Sequence, residues 1–247
     1  MSKIHLIMPM AGGGTRFGNR GFDQPKPLIQ LHGKPFFYWA VQSVIQFVEA
    51  ADIIFVVLQE HVERYGIDRQ IKQFYPSAVL QVIPRVLNGA VLTCCEGIKA
   101  VTDDFPILFN DCDHAFYCEQ FYDFCRREDF GWIDGALLTF TSSNPNYSYV
   151  RFDDCGRVIG TVEKMAASSE AICGAYYFRN KQIFIRAVEA YRTKCAYQEF
   201  FVSGVYNELA RSKQQIVTFP INDHVSFGTP EEYEAAVADD RLGVLVR

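Results

Sequence analysis

No apolar run in this 247-residue sequence reaches the roughly 18 residues that a membrane-spanning helix needs. An excess of positive charge is also missing. Lysine plus arginine number 24 against 29 aspartate plus glutamate, a net charge of −5. A general nucleic-acid binder usually carries a net positive field, so that class is disfavoured, while a local cationic pocket stays open. The eight cysteines include no Cys-x-x-Cys pair, which argues against a structural zinc site. The chain is also too long for the small secreted domains in which an even cysteine count signals disulfides. Cys94 and Cys95 share an apolar helical stripe with Val91, Ile98 and Val101 and read as core thiols. Cys112 lies between two acidic residues, Asp111 and Asp113, and is the cysteine to watch. Internal repeats, linkers and low-complexity segments are absent. The first apolar run, residues 4–8, is too short for a signal peptide and has no cleavage pattern behind it. Hydrophobic residues at 49% and charged residues at 21% fit a globular chain, so a cytoplasmic globular protein is expected.

In the first half, apolar runs alternate with helical patterns. Residues 4–8, 52–58, 78–84 and 106–109 read as strands. Between them, helices are expected over 36–48, 59–74 and 89–101. Apolar residues at 36, 37, 40, 41, 44, 45 and 48 lie on one helical face, which places the cluster Phe36-Phe37-Tyr38-Trp39 in the core. Repeated strand–helix units imply right-handed crossovers and a mainly parallel sheet. The second half predicts strands at 136–142, 175–178 and 216–221 and helices at 181–194 and 199–211. A hairpin is expected from 149–153 and 158–164 around Asp154-Cys155-Gly156. Thr229-Pro230-Glu231-Glu232 carries a capping box and starts a last helix.

The most informative segment follows the first strand: Met10-Ala11-Gly12-Gly13-Gly14-Thr15-Arg16-Phe17. Consecutive glycines cost folding entropy, and their use is to let backbone N–H groups approach a bulky anion. It is not a P-loop: Gly13 and Gly18 have the spacing, but Asn19-Arg20 replaces the lysine and hydroxyl. Nor is it a dinucleotide fingerprint, because Phe17 stands at the third glycine position and the second strand lacks a clear terminal acid.

Ala11–Phe17 together with Pro25-Lys26-Pro27-Leu28 and Gly33-Lys34-Pro35 resembles the signature of the sugar-phosphate nucleotidylyltransferases, also called nucleoside-diphosphate-sugar pyrophosphorylases. The similarity continues along nearly the whole chain. Asn88-Gly89-Ala90 matches the segment that contacts base and ribose; the residues alone also allow Asn88 simply to cap a helix. Asn110-Asp111-Cys112-Asp113 ends a strand where open α/β sheets bind ligands. By resemblance Asp111 is a ligand of Mg2+, a cation that takes one or two carboxylates plus phosphate oxygens. Asp113 reads as a second ligand, an outer acceptor or a turn residue, and His114 as structural. Tyr147-Ser148 stands where the family has Tyr-Gly. Val162-Glu163-Lys164 resembles the segment whose glutamate binds a sugar hydroxyl and whose lysine binds the sugar phosphate. Ser168, Ser169 and residues 174–178 extend the match. One departure is clear. Many relatives place a second metal-binding aspartate two residues before Gly-Thr-Pro, whereas here that position is Ser226, and Asp223 lies three residues further upstream.

The resemblance implies a single α/β, Rossmann-like (GT-A-like) domain over 1–247, with a mixed, mainly parallel central sheet flanked by helices. Residues 1–115 would bind nucleotide and 116–247 the acceptor. No appended β-helix and no acetyltransferase activity are expected. The implied reaction moves a nucleoside monophosphate from a triphosphate to a sugar 1-phosphate or a smaller phosphorylated alcohol such as phosphocholine, releasing pyrophosphate. UTP, CTP and dTTP lead GTP as donors. Arg16 and Lys26 are the expected catalytic groups. The nucleotide would be held by Ala11, Gly12, Gly13, Gly14, Thr15, Asn88 and Gly89, and the acceptor by Tyr147, Ser148, Glu163 and Lys164. Asp111 and Asp223 are the expected ligands of Mg2+, with Asp223 serving through a different loop; the alternative is that one ligand is lost and water takes its position. Glu199, Ser203 and Asn207 are further acceptor-pocket candidates. Surface-polysaccharide precursor synthesis fits such an enzyme; nucleic acid and membrane partners are not expected, and a homo-oligomer stays open. Two other classes share the fold. A glycosyltransferase could use Asp111-Cys112-Asp113 as its Asp-x-Asp but has no need of Pro25–Leu28. A non-catalytic nucleotide-sugar-binding regulator has no need of the attack-site charges.

Overall fold

In a computed structural model of the chain, which describes residues 3–127 and 132–246, the first strand β1 (Ile4–Pro9) lies in the interior of a nine-stranded sheet. Its side chains split between two faces. Leu6 and Met8 pack into one hydrophobic cluster and Ile7 into the other, as the two-residue period of a strand covered on both sides requires. The glycine loop follows, ending in a single helical turn, α1 (Thr15–Gly18). A short ribbon of β2 (Gln30–Leu31) and β3 (Lys34–Pro35) leads into α2 (Phe36–Ile45). Here the aromatic cluster is core: Phe36 and Phe37 are buried and the Trp39 Nε1 donates to the Leu31 carbonyl at 2.8 Å.

The strand β4 (Ala50–Leu58) pairs parallel with β1. The helix expected over 59–74 is two helices, α3 (Gln59–Tyr65) and α4 (Ile67–Phe74). Gly66, at φ +61°, caps the first and breaks the run. Next come β5 (Val79–Ile83), α5 (Ala90–Ile98) and β6 (Ile107–Asn110), and both strands join the parallel set. Beyond it lie β7 (His114–Tyr117) and α6 (Glu119–Arg126), neither of which the sequence pattern announced. The second half supplies β8 (Gly135–Thr141), the hairpin of β9 (Ser148–Phe152) and β10 (Val158–Glu163), and β11 (Glu170–Phe178). The strand β11 starts five residues earlier than the pattern suggested. It slips register between Ile172 and Tyr176, with Gly174 at φ +100°, and so pairs first with β9 and then antiparallel with β6.

The helices α7 (Lys181–Lys194) and α8 (Val202–Arg211) cover one face. The strand β12 (Ile216–Pro220) pairs parallel with β8 at the sheet's edge. The strand β13 (Asp223–Ser226) forms an antiparallel ribbon with β7. The capping box predicted at Thr229 is present and opens α9 (Pro230–Val237), followed by a last turn, α10 (Leu242–Leu245). The fold is therefore a single α/β domain with a mixed central sheet, parallel through β1, β4, β5 and β6 and flanked by helices. None of the described helices is long and apolar enough to cross a membrane. All eight cysteines are free thiols; Cys94 is buried and Cys95 half-buried, in keeping with the core reading.

Candidate active site

Beyond the C-terminal ends of β1 and β6, where the first loop and the Asn110–Asp113 turn meet, the surface opens into two adjoining cavities of about 450 and 440 Å³. Arg16, Asp111 and Gly228 line both. The first cavity is also lined by Gly12, Gly14, Thr15 and Lys26, the second by Tyr147, Ser148 and Ser226. Of the three glycines, only Gly14 has a positive φ, +59°. A Cβ at Gly12 would meet nothing within 4 Å, and one at Gly13 only the Thr15 methyl. The fold therefore has no steric need for glycine at 12 or 13; the bare backbone there leaves room for something that approaches from outside. Ala11 is part of the core, so its side chain is not available to a ligand.

Lys26 follows Pro25, whose extended backbone starts a 3₁₀ turn over Lys26–Leu28. Its ammonium donates to Asp113 Oδ2 at 2.7 Å. Burial works against that charge, but the Asp113 carboxylate, with Asp111 behind it, more than offsets it and holds the lysine protonated, above its ordinary range. Asp111 has no such partner: among the described residues no donor reaches its carboxylate. Burial, then the adjacent Asp113 charge, push its pKa up to about 7 against the pull of Lys26. Gly174 is required beside it, since a Cβ there would lie 2.8 Å from Asp111 Oδ2. Gly228 has the same role at Asp113, where the distance would be 2.6 Å. Cys112 lines the first cavity, but burial raises its thiol to about 12, so it is no nucleophile at neutral pH. His114 is structural. It is buried, faces Asn110 Oδ1 at 3.0 Å, and burial lowers its pKa to about 4.

The donor set suits Mg2+ in the way resemblance suggested for one residue only. Asp111 is a hard, uncompensated carboxylate at the mouth of both cavities, which fits a cation completed by phosphate oxygens and water. Asp223 is not brought to it. In the β7–β13 ribbon Ser226 pairs with His114, beside the site, while Asp223 pairs with Tyr117 at the other end. The strand rise of about 3.3 Å per residue separates the two. Asp223 instead accepts from Arg241 at 2.6 Å. Among the described residues no group of three or more histidine, cysteine and carboxylate side chains is poised to hold a metal.

The remaining candidates divide. Tyr147 donates to Glu232 Oε1 at 2.6 Å, and the other oxygen of Glu232 accepts the Gly228 and Thr229 amides, so the capping box of α9 fixes this tyrosine at the second cavity. Glu163 and Lys164 line neither cavity. Glu163 accepts from Ser148 Oγ at 2.6 Å and from the Ser203 hydroxyl, a partnership the sequence did not reveal. Lys164 has the left-handed backbone φ of +53°, and its ammonium sits 5.5 Å from the ring centre of Phe201, which does line the first cavity. Glu199 lines that cavity too. Asn207 faces away and accepts the Thr161 amide at 2.9 Å. Asn88 does not cap α5, whose N-cap is Gly89; its amide donates to the Gln198 carbonyl at 3.0 Å. Gly89, at φ +101°, is packed against the Phe200 backbone. Both residues thus hold the 198–201 strap and are not among the residues lining the first cavity.

A sequence profile of the family described as Nucleotidyl transferase matches residues 6–241. The chain belongs to that family. Among curated proteins, none matches it significantly. Two solved structures share the fold of this nucleotidyl transferase. One is the nucleoside-diphosphate-sugar pyrophosphorylase from Vibrio cholerae RC9, with 22% identity, a TM-score of 0.81, and coverage of 95% of this chain and 100% of that one. The other is the inositol-1-phosphate CTP transferase from T. maritima, with 12% identity, a TM-score of 0.74 and 97% of each chain covered.

Proposed function

We propose that this nucleotidyl transferase moves a nucleoside monophosphate, UMP, CMP or dTMP, from its triphosphate to a phosphorylated acceptor and releases pyrophosphate. A sugar 1-phosphate leads as acceptor, with surface-polysaccharide precursors as the product class. The observation that carries this reading is the pair of cavities joined at Arg16 and Asp111. A reaction between two phosphorylated substrates needs two pockets that meet where phosphorus changes partners.

The acceptor phosphate is already a nucleophile at neutral pH, so what must be overcome is repulsion between polyanions. The glycine loop presents backbone N–H groups without side chains. Arg16, free of any ion pair among the described residues, offers a planar fork to the α-phosphate and the leaving pyrophosphate. Lys26, kept charged and aimed by Asp113, stabilises the charge that builds on the α-phosphate. Tyr147 and Ser148 face the acceptor, Glu163 and Lys164 stand behind Ser148 and Phe201, and Asp111 would hold Mg2+. That ion, when bound, supplies charge neutralisation to the phosphate oxygens. In this reading residues 1–115 supply most nucleotide contacts and 116–247 the acceptor contacts, with Glu199, Phe201 and Gly228 crossing to the nucleotide side.

Thermal unfolding with UTP, CTP, dTTP, GTP or ATP, each with Mg2+, tests the assignment without knowledge of the acceptor. A triphosphate at a hundred times its dissociation constant should add about 2.7 kcal/mol of stability. A midpoint unmoved by every triphosphate, but raised by a nucleotide sugar, would favour the glycosyltransferase or regulator reading.

A further inference from the structure

Behind the acceptor strand, on the outer side of β10, lies a smaller cavity of about 260 Å³ that the reaction above does not use. Three cations line it: Arg151 on β9, Lys194 at the end of α7 and Arg211 at the end of α8. In a chain of net charge −5, such a concentration has no counterpart in the overall charge balance. No carboxylate is among the lining residues. Glu208 is buried beneath, and both its oxygens are already taken, one by Lys194 at 3.1 Å and the other by Arg211. Among the described residues Arg151 has only the Asn207 amide oxygen, at 3.5 Å. Two of the three cations thus share one carboxylate, and Arg151 has no ion pair among the described residues.

Two neutral polar side chains, Thr161 and Tyr191, also line the cavity. Thr161 anchors the β10 side of the cavity through its hydroxyl and amide. Tyr191 is 3% exposed, and its hydroxyl lies against the Cys195 thiol and the Phe201 backbone. The mutual repulsion of clustered cations is costly, and one anion would relieve it. Arginine forks with a lysine point charge are the donor set that recognises a phosphoryl group. We infer that this cavity is a second, non-catalytic oxyanion site for a small phosphorylated molecule. The strand that forms its wall continues directly into Glu163 and Lys164, so occupation bears on the acceptor side of the enzyme.

Lysine acetylation read by mass spectrometry tests the site directly, with inorganic phosphate as the probe at constant ionic strength and Lys213, exposed and outside every cavity described above, as the internal control. Phosphate should slow acetylation of Lys194 but not of Lys213. Arg151→Gln should raise the half-protecting concentration about tenfold, while Lys26→Ala, which weakens the catalytic cavity, should leave it unchanged. The proposal is overturned if Lys194 and Lys213 respond alike, if Arg151→Gln has no effect, or if Lys26→Ala removes the protection.

Discussion

Lys26 and Asp113 are the ion pair around which the candidate site is organised, and Asp111 is the charge left over. This asymmetry gives two predictions at the residue scale. Lys26→Ala should lower turnover by about a hundredfold, on the order of 3 kcal/mol, with the fold retained by circular dichroism. A folded variant with wild-type turnover would contradict the role. Asp111→Asn should lose turnover on a similar scale yet gain stability, because the wild type holds an ionised carboxylate in a site that disfavours it. Its folded pKa, raised to about 7, lies above the unfolded value, so the penalty is fully present above pH 7. As pH falls through 7 the folded wild type takes up the proton first and its stability recovers. In chelated buffer the unfolding midpoint of Asp111→Asn should exceed that of the wild type by on the order of 4 °C at pH 8. That gap should narrow by pH 5. A variant less stable at pH 8 would contradict the account of Asp111. The glycine loop, Lys26 and Asp111 could be singled out because they stand in the segments that resemble the family signature, and the structure brings them to one cavity. The place of Asp223 stayed open in the sequence because it depends on pairing with β7, which sets Asp223 opposite Tyr117 and Ser226 opposite His114.

Elements explain the remaining misses. The helices and strands with strong apolar periods, such as α2, β1 and β4, were legible to within a few residues. The β7–β13 ribbon was not, since each half is four residues long and its pairing joins segments more than a hundred positions apart. That ribbon determines which side chain stands beside Asp111. The 198–201 strap was equally hidden. The Val91 amide donates to the Phe200 carbonyl at 3.0 Å and the Phe200 amide to Asn88, so a loop from the second half is stitched to the start of α5. Gly89 makes the stitch sterically feasible. Gly89→Ala should therefore lower stability by roughly 2 kcal/mol or more, from its positive φ and the clash with Phe200, as urea unfolding would show. An unchanged midpoint would mean that the strap is not held as described.

At the scale of the whole molecule, α/β class and a helix-flanked sheet followed from alternating patterns, but the joining of two cavities at Arg16 and Asp111 did not. It depends on β11 crossing from β9 to β6 at Gly174, a bulge with no sequence period of its own. The central claim is that this junction transfers a nucleoside monophosphate. The most direct measurement is product identity when the enzyme, Mg2+ and each pyrimidine triphosphate are incubated with sugar 1-phosphates or phosphocholine. The account predicts inorganic pyrophosphate released in step with acceptor consumed, and about a hundredfold less from Lys26→Ala. Nucleoside diphosphate released from a nucleotide sugar, with no pyrophosphate from any of these mixtures, would contradict it.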